Sequence, residues 1–336
     1  MNRQLLQYDA AFGHRFVPGL KARVEHESGG YLVRTNGAGF RCHHEWTRER
    51  ADGQRRILLF GDSYTAGDGV SDKFRYGNLL ESMLDGVEIY NMALPGTGTD
   101  QQLLVFRELA SQFEHDLVVV GVFVENIRRV VARFRPWALR DGAAEGEDVR
   151  LFAKPYFTLD DGELRLHQVP VPKDPFRPDD LGEDERDHVD RGGRLAWARG
   201  LVNRLGARDV VQKLSRYQPL PAYDSADSAD WLLLRAILER WVAESTAPVV
   251  VCPIPLYQHI EETASPDGVR ARFRELDAPP ECRIHDPLDD FHRVPKAERR
   301  GLRFETDTHF TRTGHRVLAE SLASGLAPIL AELPSP

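Results

Sequence analysis

The chain has 336 residues, 41% of them apolar, which suffices for one large domain with a packed core and argues against wholesale disorder. A formal net charge of −8 at pH 7 argues against nucleic acid or an anionic membrane as a general partner. No run approaches the roughly 18 consecutive apolar residues of a membrane-spanning helix. Met1 to Phe16 has neither the apolar centre nor the cleavage site of an export signal. The three cysteines, Cys42, Cys252 and Cys282, form no pattern that implies a disulfide framework. The expectation is a soluble, cytoplasmic protein.

In chain order, Tyr31–Arg41 (YLVRTNGAGFR) reads as strand, Asn-Gly turn, strand, a small hairpin ahead of the main fold. Ile57–Phe60 is a short apolar run that ends in Gly-Asp-Ser, as a buried parallel strand does where it hands over to a helix. Val87–Asn91 is a second strand, followed by the loop ALPGTGT and a helix from about Asp100 to Phe113. Leu117–Val124 is the strongest strand, Val249–Ile254 a fourth and Arg283–Pro287 a weak fifth. A closing helix runs from about Thr313 to Leu333, with Val317, Leu318, Leu322, Leu326 and Leu330 on one stripe. Strands alternating with helices predict a doubly wound, parallel α/β sheet, with its site beyond the carboxyl ends of the strands.

The alternation breaks between Arg135 and about Asp227. Tyr156–Leu159 and Glu163–Val169 flank Asp160-Asp161-Gly162 as a hairpin, Pro170–Asp190 is irregular, and Ala226–Ser245 returns to helix. This middle region reads as an insert over the site.

Ser63 follows directly on a strand, in Gly61-Asp62-Ser63-Tyr64-Thr65. A serine hydroxyl needs a fixed, exposed position and an adjacent base to act as a nucleophile. Taken alone, Asp62 or Ser63 would equally serve as the cap of the next helix. The segment resembles the first sequence block of the SGNH, or GDSL, hydrolases, whose serine is the nucleophile. Ala93–Gly98 after Asn91 resembles their second block, whose glycine, here Gly96, lends an N–H to the oxyanion hole. His309, ahead of Gly314-His315, resembles the histidine of the last block, the general base. Thr35-Asn36 and Gly39-Phe40-Arg41 resemble a segment that precedes the serine block in bacterial members. The resemblance spans residues 31–130 and 247–333. It implies a flavodoxin-like three-layer α/β/α fold with about five parallel strands. Residues 1–50 would be an N-terminal extension, 51–130 and 228–336 the hydrolase domain, and 131–227 the insert.

Two departures from that pattern stand out. The family's aspartate usually lies three residues before the histidine, where this chain has Thr306; Asp307 lies only two before His309. Residues two apart in an extended loop face the same side, so Asp307 is expected to orient the imidazole, a spacing similar to that of SGNH-like polysaccharide O-acetyltransferases. The alternative is a Ser63–His309 dyad. In the third block, a strict overlay puts Glu125 where the family has its oxyanion-binding asparagine. Extending the strand by one residue puts Asn126 there, and its amide can donate where a carboxylate would repel.

Asp62 and Tyr64 beside the serine, and Glu125, Arg128 and Arg129 after the third block, are candidate substrate-binding residues. Arg133, Arg135 and Arg140 are weaker ones, and a solvated or ion-paired face explains this arginine run equally well. Trp137, Tyr156, Phe157 and Trp231 would floor a ring-bearing substrate or else form a small core beneath the insert. Cys42-His43-His44-Glu45 is not expected to hold a metal, and no glycine-rich nucleotide fingerprint occurs, so no cofactor is expected. His315 is expected to pack on the closing helix. The resemblance implies a serine esterase that acts through an acyl-serine on an acylated glycan or secondary metabolite. An O-acyltransferase with a separate acyl donor, or a non-catalytic carbohydrate- or partner-binding protein, are the alternatives.

Overall fold

The computed structural model describes residues 5–139, 148–190 and 219–334. Its centre is a five-stranded sheet of β5 (Arg55–Gly61), β6 (Val87–Asn91), β7 (Leu117–Phe123), β12 (Val249–Ile254) and β13 (Cys282–Ile284), in the order β13-β12-β7-β5-β6. All four pairings are parallel. β7 and β12 are buried along their whole length, which is why their sequences are unbroken apolar runs rather than alternating ones.

Helices cover both faces, giving three α/β/α layers. On one face α3 (Thr99–Leu109) and α4 (Ile127–Val130) pack with α5 (Ala229–Glu244). On the other, α2 (Tyr76–Met83) and α6 (Leu288–Arg293) pack with α7 (Arg312–Glu332). Adjacent residues of β5 point to opposite layers. Phe60 meets the Trp241 ring of α5 at 5.2 Å between centroids, whereas Leu59 lies against Gly77 of α2. No described helix is long and apolar enough to cross a membrane.

Four hairpins decorate this core: β1 (Leu6–Asp9) with β2 (Gly13–Phe16), β3 (Lys21–Val24) with β4 (Tyr31–Arg34), β8 (Phe134–Leu139) with β9 (Asp148–Ala153), and β10 (Tyr156–Asp160) with β11 (Glu163–His167). The expected hairpin across Asn36-Gly37 does not form. Tyr31–Arg34 pairs backward with Lys21–Val24, and the chain beyond it loops inward to bury Arg41. That guanidinium donates to the carbonyls of Ala66 (2.9 Å), Gly67 (2.6 Å), Val70 (2.6 Å) and Leu32 (3.0 Å), and to the carboxylate of Asp72 (2.9 Å). Four main-chain acceptors gathered around one arginine outweigh a local turn preference.

In the middle region, β10–β11 packs on α3 and α5. Phe157 is buried there, and Trp231 is buried against Tyr223 and Phe273, so neither forms a substrate floor. Tyr156 is half-buried, stacked on His167 and covered by Arg133. The second hairpin, β8–β9, buries a small core of its own with Val171 and Leu181. Pro136 in β8 argues against a strand on sequence grounds, which explains why this hairpin was not expected. Arg140, the stretch 191–218 and the Trp137 side chain lie outside what is described.

Candidate active site

β5 delivers Ser63 to the first turn of α1 (Ser63–Ala66), a helix capped by Asp62, whose carboxylate accepts the Tyr64 N–H at 3.0 Å. Gly61 pairs in register with Gly121 of β7. A Cβ on Gly61 would overlap the Thr65 side chain, and one on Gly121 would lie 2.8 Å from both Thr65 Oγ1 and Tyr76 Oη. Two glycines side by side are what allow the serine turn to sit this close above the sheet.

Ser63 Oγ lies 2.7 Å from His309 Nε2. The other ring nitrogen, Nδ1, meets Asp307 Oδ1, which also accepts the His309 backbone N–H at 3.1 Å. The shortened Asp-x-His spacing therefore still brings acid and base together. Burial alone would raise the Asp307 carboxyl, but the bonds from His309 and one from His26 hold it well below the usual carboxylate range. Burial opposes protonation of His309 as well, yet Asp307, helped by Asp68 and Asp62, outweighs it and lifts the imidazole above its ordinary value. The Tyr64 ring packs against this imidazole at 4.8 Å, stacks on Phe123 at 4.1 Å and donates its hydroxyl to the Thr308 carbonyl at 3.0 Å. Tyr64 thus steadies the histidine loop.

Gly96 has φ +78°, and a Cβ there would overlap the Arg135 guanidinium, so the loop demands glycine. The preceding carbonyl, Pro95 O, accepts from His14 Nε2 at 2.8 Å. Asn126 follows the end of β7, next to β5 in the sheet, and is fully buried with neither its amide nitrogen nor its amide oxygen hydrogen-bonded. Glu125 instead reaches partly exposed Arg128, at 2.7 Å. Of the two candidates, only Asn126 presents an unengaged buried donor.

Arg129 pairs with Asp62 at 2.9 Å, so both are committed to bracing the serine turn. Arg135 is half-buried and stands 3.5 Å from Asp190. His315 is buried, stacked on Tyr76, and accepts the Tyr76 N–H at 3.3 Å, as expected of a packing residue.

Sequence reasoning missed His26 and Glu27. His26 Nε2 reaches Asp307 Oδ2 at 3.1 Å, and the Glu27 carboxylate accepts N–H groups of the loop that carries Asp307. They lie some 280 residues from that loop, and no local signal marks them. Among the described residues, the one group arranged to hold a metal ion is His43, His44 and Glu81. Each histidine Nε2 already meets a Glu81 oxygen at 2.9 Å, which gives all three side chains a partner.

A serine, a histidine on its hydroxyl, an acid on the far ring nitrogen and a buried free amide now stand at the carboxyl edge of one sheet. The chain is similar to solved G-D-S-L lipolytic proteins. One, from Veillonella parvula DSM 2008, shares 11% identity over 80% of this chain and 97% of its own, with a TM-score of 0.41. The lipase/acylhydrolase from Enterococcus faecalis shares 14% over 84% and 99%, with a TM-score of 0.40. The C-terminal catalytic domain of Streptococcus pneumoniae peptidoglycan O-acetyltransferase A, carrying a methylsulfonyl adduct, shares 12% over 84% and 97%, with a TM-score of 0.37. No family model and no curated protein matches the chain. These likenesses are distant, and the functional reading rests on the geometry of this site.

Proposed function

We propose that the chain is a serine-dependent acyl-ester hydrolase that works through an acyl-Ser63 intermediate on an acylated glycan or secondary metabolite. The observation that carries it is the 2.7 Å contact of Ser63 Oγ with His309 Nε2, with Asp307 on the opposite ring nitrogen. His309 takes the hydroxyl proton as Ser63 Oγ attacks the ester carbonyl. The N–H groups of Ser63 and Gly96 and the Asn126 amide stabilise the oxyanion. Collapse releases the alcohol, which receives the proton from His309, and leaves the acyl-serine. Water attacks that ester in turn, His309 removing its proton, and the carboxylic acid departs as Ser63 regains its hydrogen. An alcohol in place of water would make the same residues an acyltransferase.

The test is intact mass after incubation with a fluorophosphonate. A single adduct on the unaltered chain, absent from Ser63→Ala and strongly slowed in His309→Ala, is the expected result. A folded protein that gains no adduct overturns the proposal and favours a binding role without chemistry.

A further inference from the structure

We infer that His26 and Glu27, in the N-terminal extension, are positioning residues that hold the Asp307 carboxylate against His309, an inference that rests on the acyl-serine reading above.

Within the loop before His309, the Asp307 carboxylate takes the His309 N–H, but the main-chain donors of Glu305, Thr306 and Asp307 turn to one distant side chain. Glu27 Oε1 accepts the Asp307 N–H at 2.6 Å, the Thr306 hydroxyl at 2.8 Å and the Thr306 N–H at 3.1 Å. Glu27 Oε2 accepts the Glu305 N–H at 3.0 Å and shares the Thr306 N–H at 3.1 Å. Both oxygens face donors, so the site requires a carboxylate. An amide of the same shape would press its NH2 against N–H groups. Thr306, which occupies the place of the usual acid, is recruited into this clamp, and the clamp is what lets an aspartate one residue later serve the histidine.

His26 completes the arrangement from the other side of Asp307. The Ser28 N–H points at His26 Nδ1 from 3.2 Å, which assigns the ring proton to Nε2, so Nε2–H donates to Asp307 Oδ2. The imidazole is fixed edge-on against Phe304, at 4.5 Å, and Tyr31, at 5.8 Å. A side chain at Gly69 would run into this stack, 3.1 Å from His26 Cε1. One carboxylate is thus held between two imidazoles, with Oδ1 given to His309 and Oδ2 to His26.

The consequence is chemical. The acidic groups facing His309 are Asp307, Asp68 and Asp62; Arg41 acts on Asp68, and His315 lies behind. Asp307 makes the largest of these favourable contributions. If it swings away, burial is less opposed, so His309 holds a proton less readily and loses the partner that fixes its tautomer.

The experiment is the fluorophosphonate reaction of the full chain followed by intact mass from pH 5 to 9, with circular dichroism on the same samples. Glu27→Gln should slow adduct formation on Ser63 roughly 10- to 100-fold, the cost of misplacing a reacting group by about an ångström. Its acidic limb should also move to lower pH. His26→Ala should slow the reaction, and His26→Gln, which keeps an N–H donor, should recover part of the rate. Should Glu27→Gln not fold, Thr306→Val, which removes one donor to the same carboxylate, is expected to show the same displacement of the limb in smaller measure. A purely structural role would lower the reactive fraction while leaving the limb in place. Variants that react at the unaltered rate with an unmoved limb overturn this inference alone. An unaltered chain that gains no adduct overturns the acyl-serine reading, and this inference with it.

Discussion

Asn126 and Glu125 show how burial sorts two neighbouring candidates. A buried amide without partners costs roughly 1–3 kcal/mol, and Asn126 leaves both of its polar atoms in that condition. A transition-state oxyanion would satisfy the amide nitrogen, so the penalty in the resting protein becomes stabilisation during reaction. Asn126→Leu, of similar shape, is expected to lower turnover of an activated ester about 10²- to 10³-fold with little change in KM. Its urea midpoint should stay the same or rise, because no buried polar group is left unmet. Glu125→Gln should leave turnover nearly unchanged, since its carboxylate is paired with Arg128 in a partly exposed contact. His309 supplies a second residue-scale expectation. As the proposed base it would act only when neutral, and its proton affinity is raised, so the acidic limb of the rate profile should lie above the ordinary histidine value near 6.5. A limb at or below that value, in a rate series on an activated ester, would contradict the Asp307 pairing.

At the scale of elements, the serine turn is held from below by glycines and from behind by Arg41. Gly121→Ala would push a methyl to 2.8 Å from Thr65 Oγ1 and Tyr76 Oη and 3.2 Å from Ile254 Cδ1. An overpacked core costs about 1–3 kcal/mol. Because Thr65 lies two residues from Ser63 in the same short helix, labelling should slow as the urea midpoint falls. Arg41→Met takes a charged donor from the carbonyls of Ala66, Gly67 and Val70 and the nearer of two arginines from Asp72. The expected loss is about 1–3 kcal/mol, read from urea unfolding. Arg41 also marks where the sequence became opaque. The parallel strands were legible because burial on both faces leaves unbroken apolar runs, as in Leu117–Phe123. Helix ends followed from capping and apolar spacing to within a few residues. The Asn36-Gly37 turn misled because it is a local signal, whereas three of the four carbonyls that gather Arg41 come from residues 25 to 29 positions away. Ser63, His309 and Asp307 were legible as short motifs. Their support from His26 and Glu27 was not, since only the folded chain brings the two ends together.

Acid sensitivity belongs to the whole molecule, because the responsible groups sit on separate elements around the sheet. Burial holds His14 and His259 down to about 4 and His315 to about 3. His14 braces the Gly96 loop, His259 follows β12 and His315 lies on α7. An unfolded chain binds protons at these rings near 6.5, so each favours unfolding as pH falls below that value, by on the order of 3 kcal/mol once the folded value is passed. His44 runs the other way. Its bond to Glu81 outweighs burial and raises it, so its contribution is present below 6.5 and fades as pH rises through its folded value. Glu81 itself is lowered to about 2 against burial, chiefly by His43 and His44, and what it contributes is lost as pH falls from the ordinary carboxylate range toward that value. Four depressed histidines, His285 among them, act on the range below 6.5, and His44 and His309, raised by their carboxylate partners, oppose them, so the net expectation is loss of stability on mild acidification. Calorimetry should show Tm declining from about pH 6.5, before ordinary carboxylates titrate, and more steeply below about 4.5. A Tm that stays level between those two values would mean that the imidazoles at His14, His259 and His315 are not buried in the neutral form, and the packing around the closing helix would need to be redrawn.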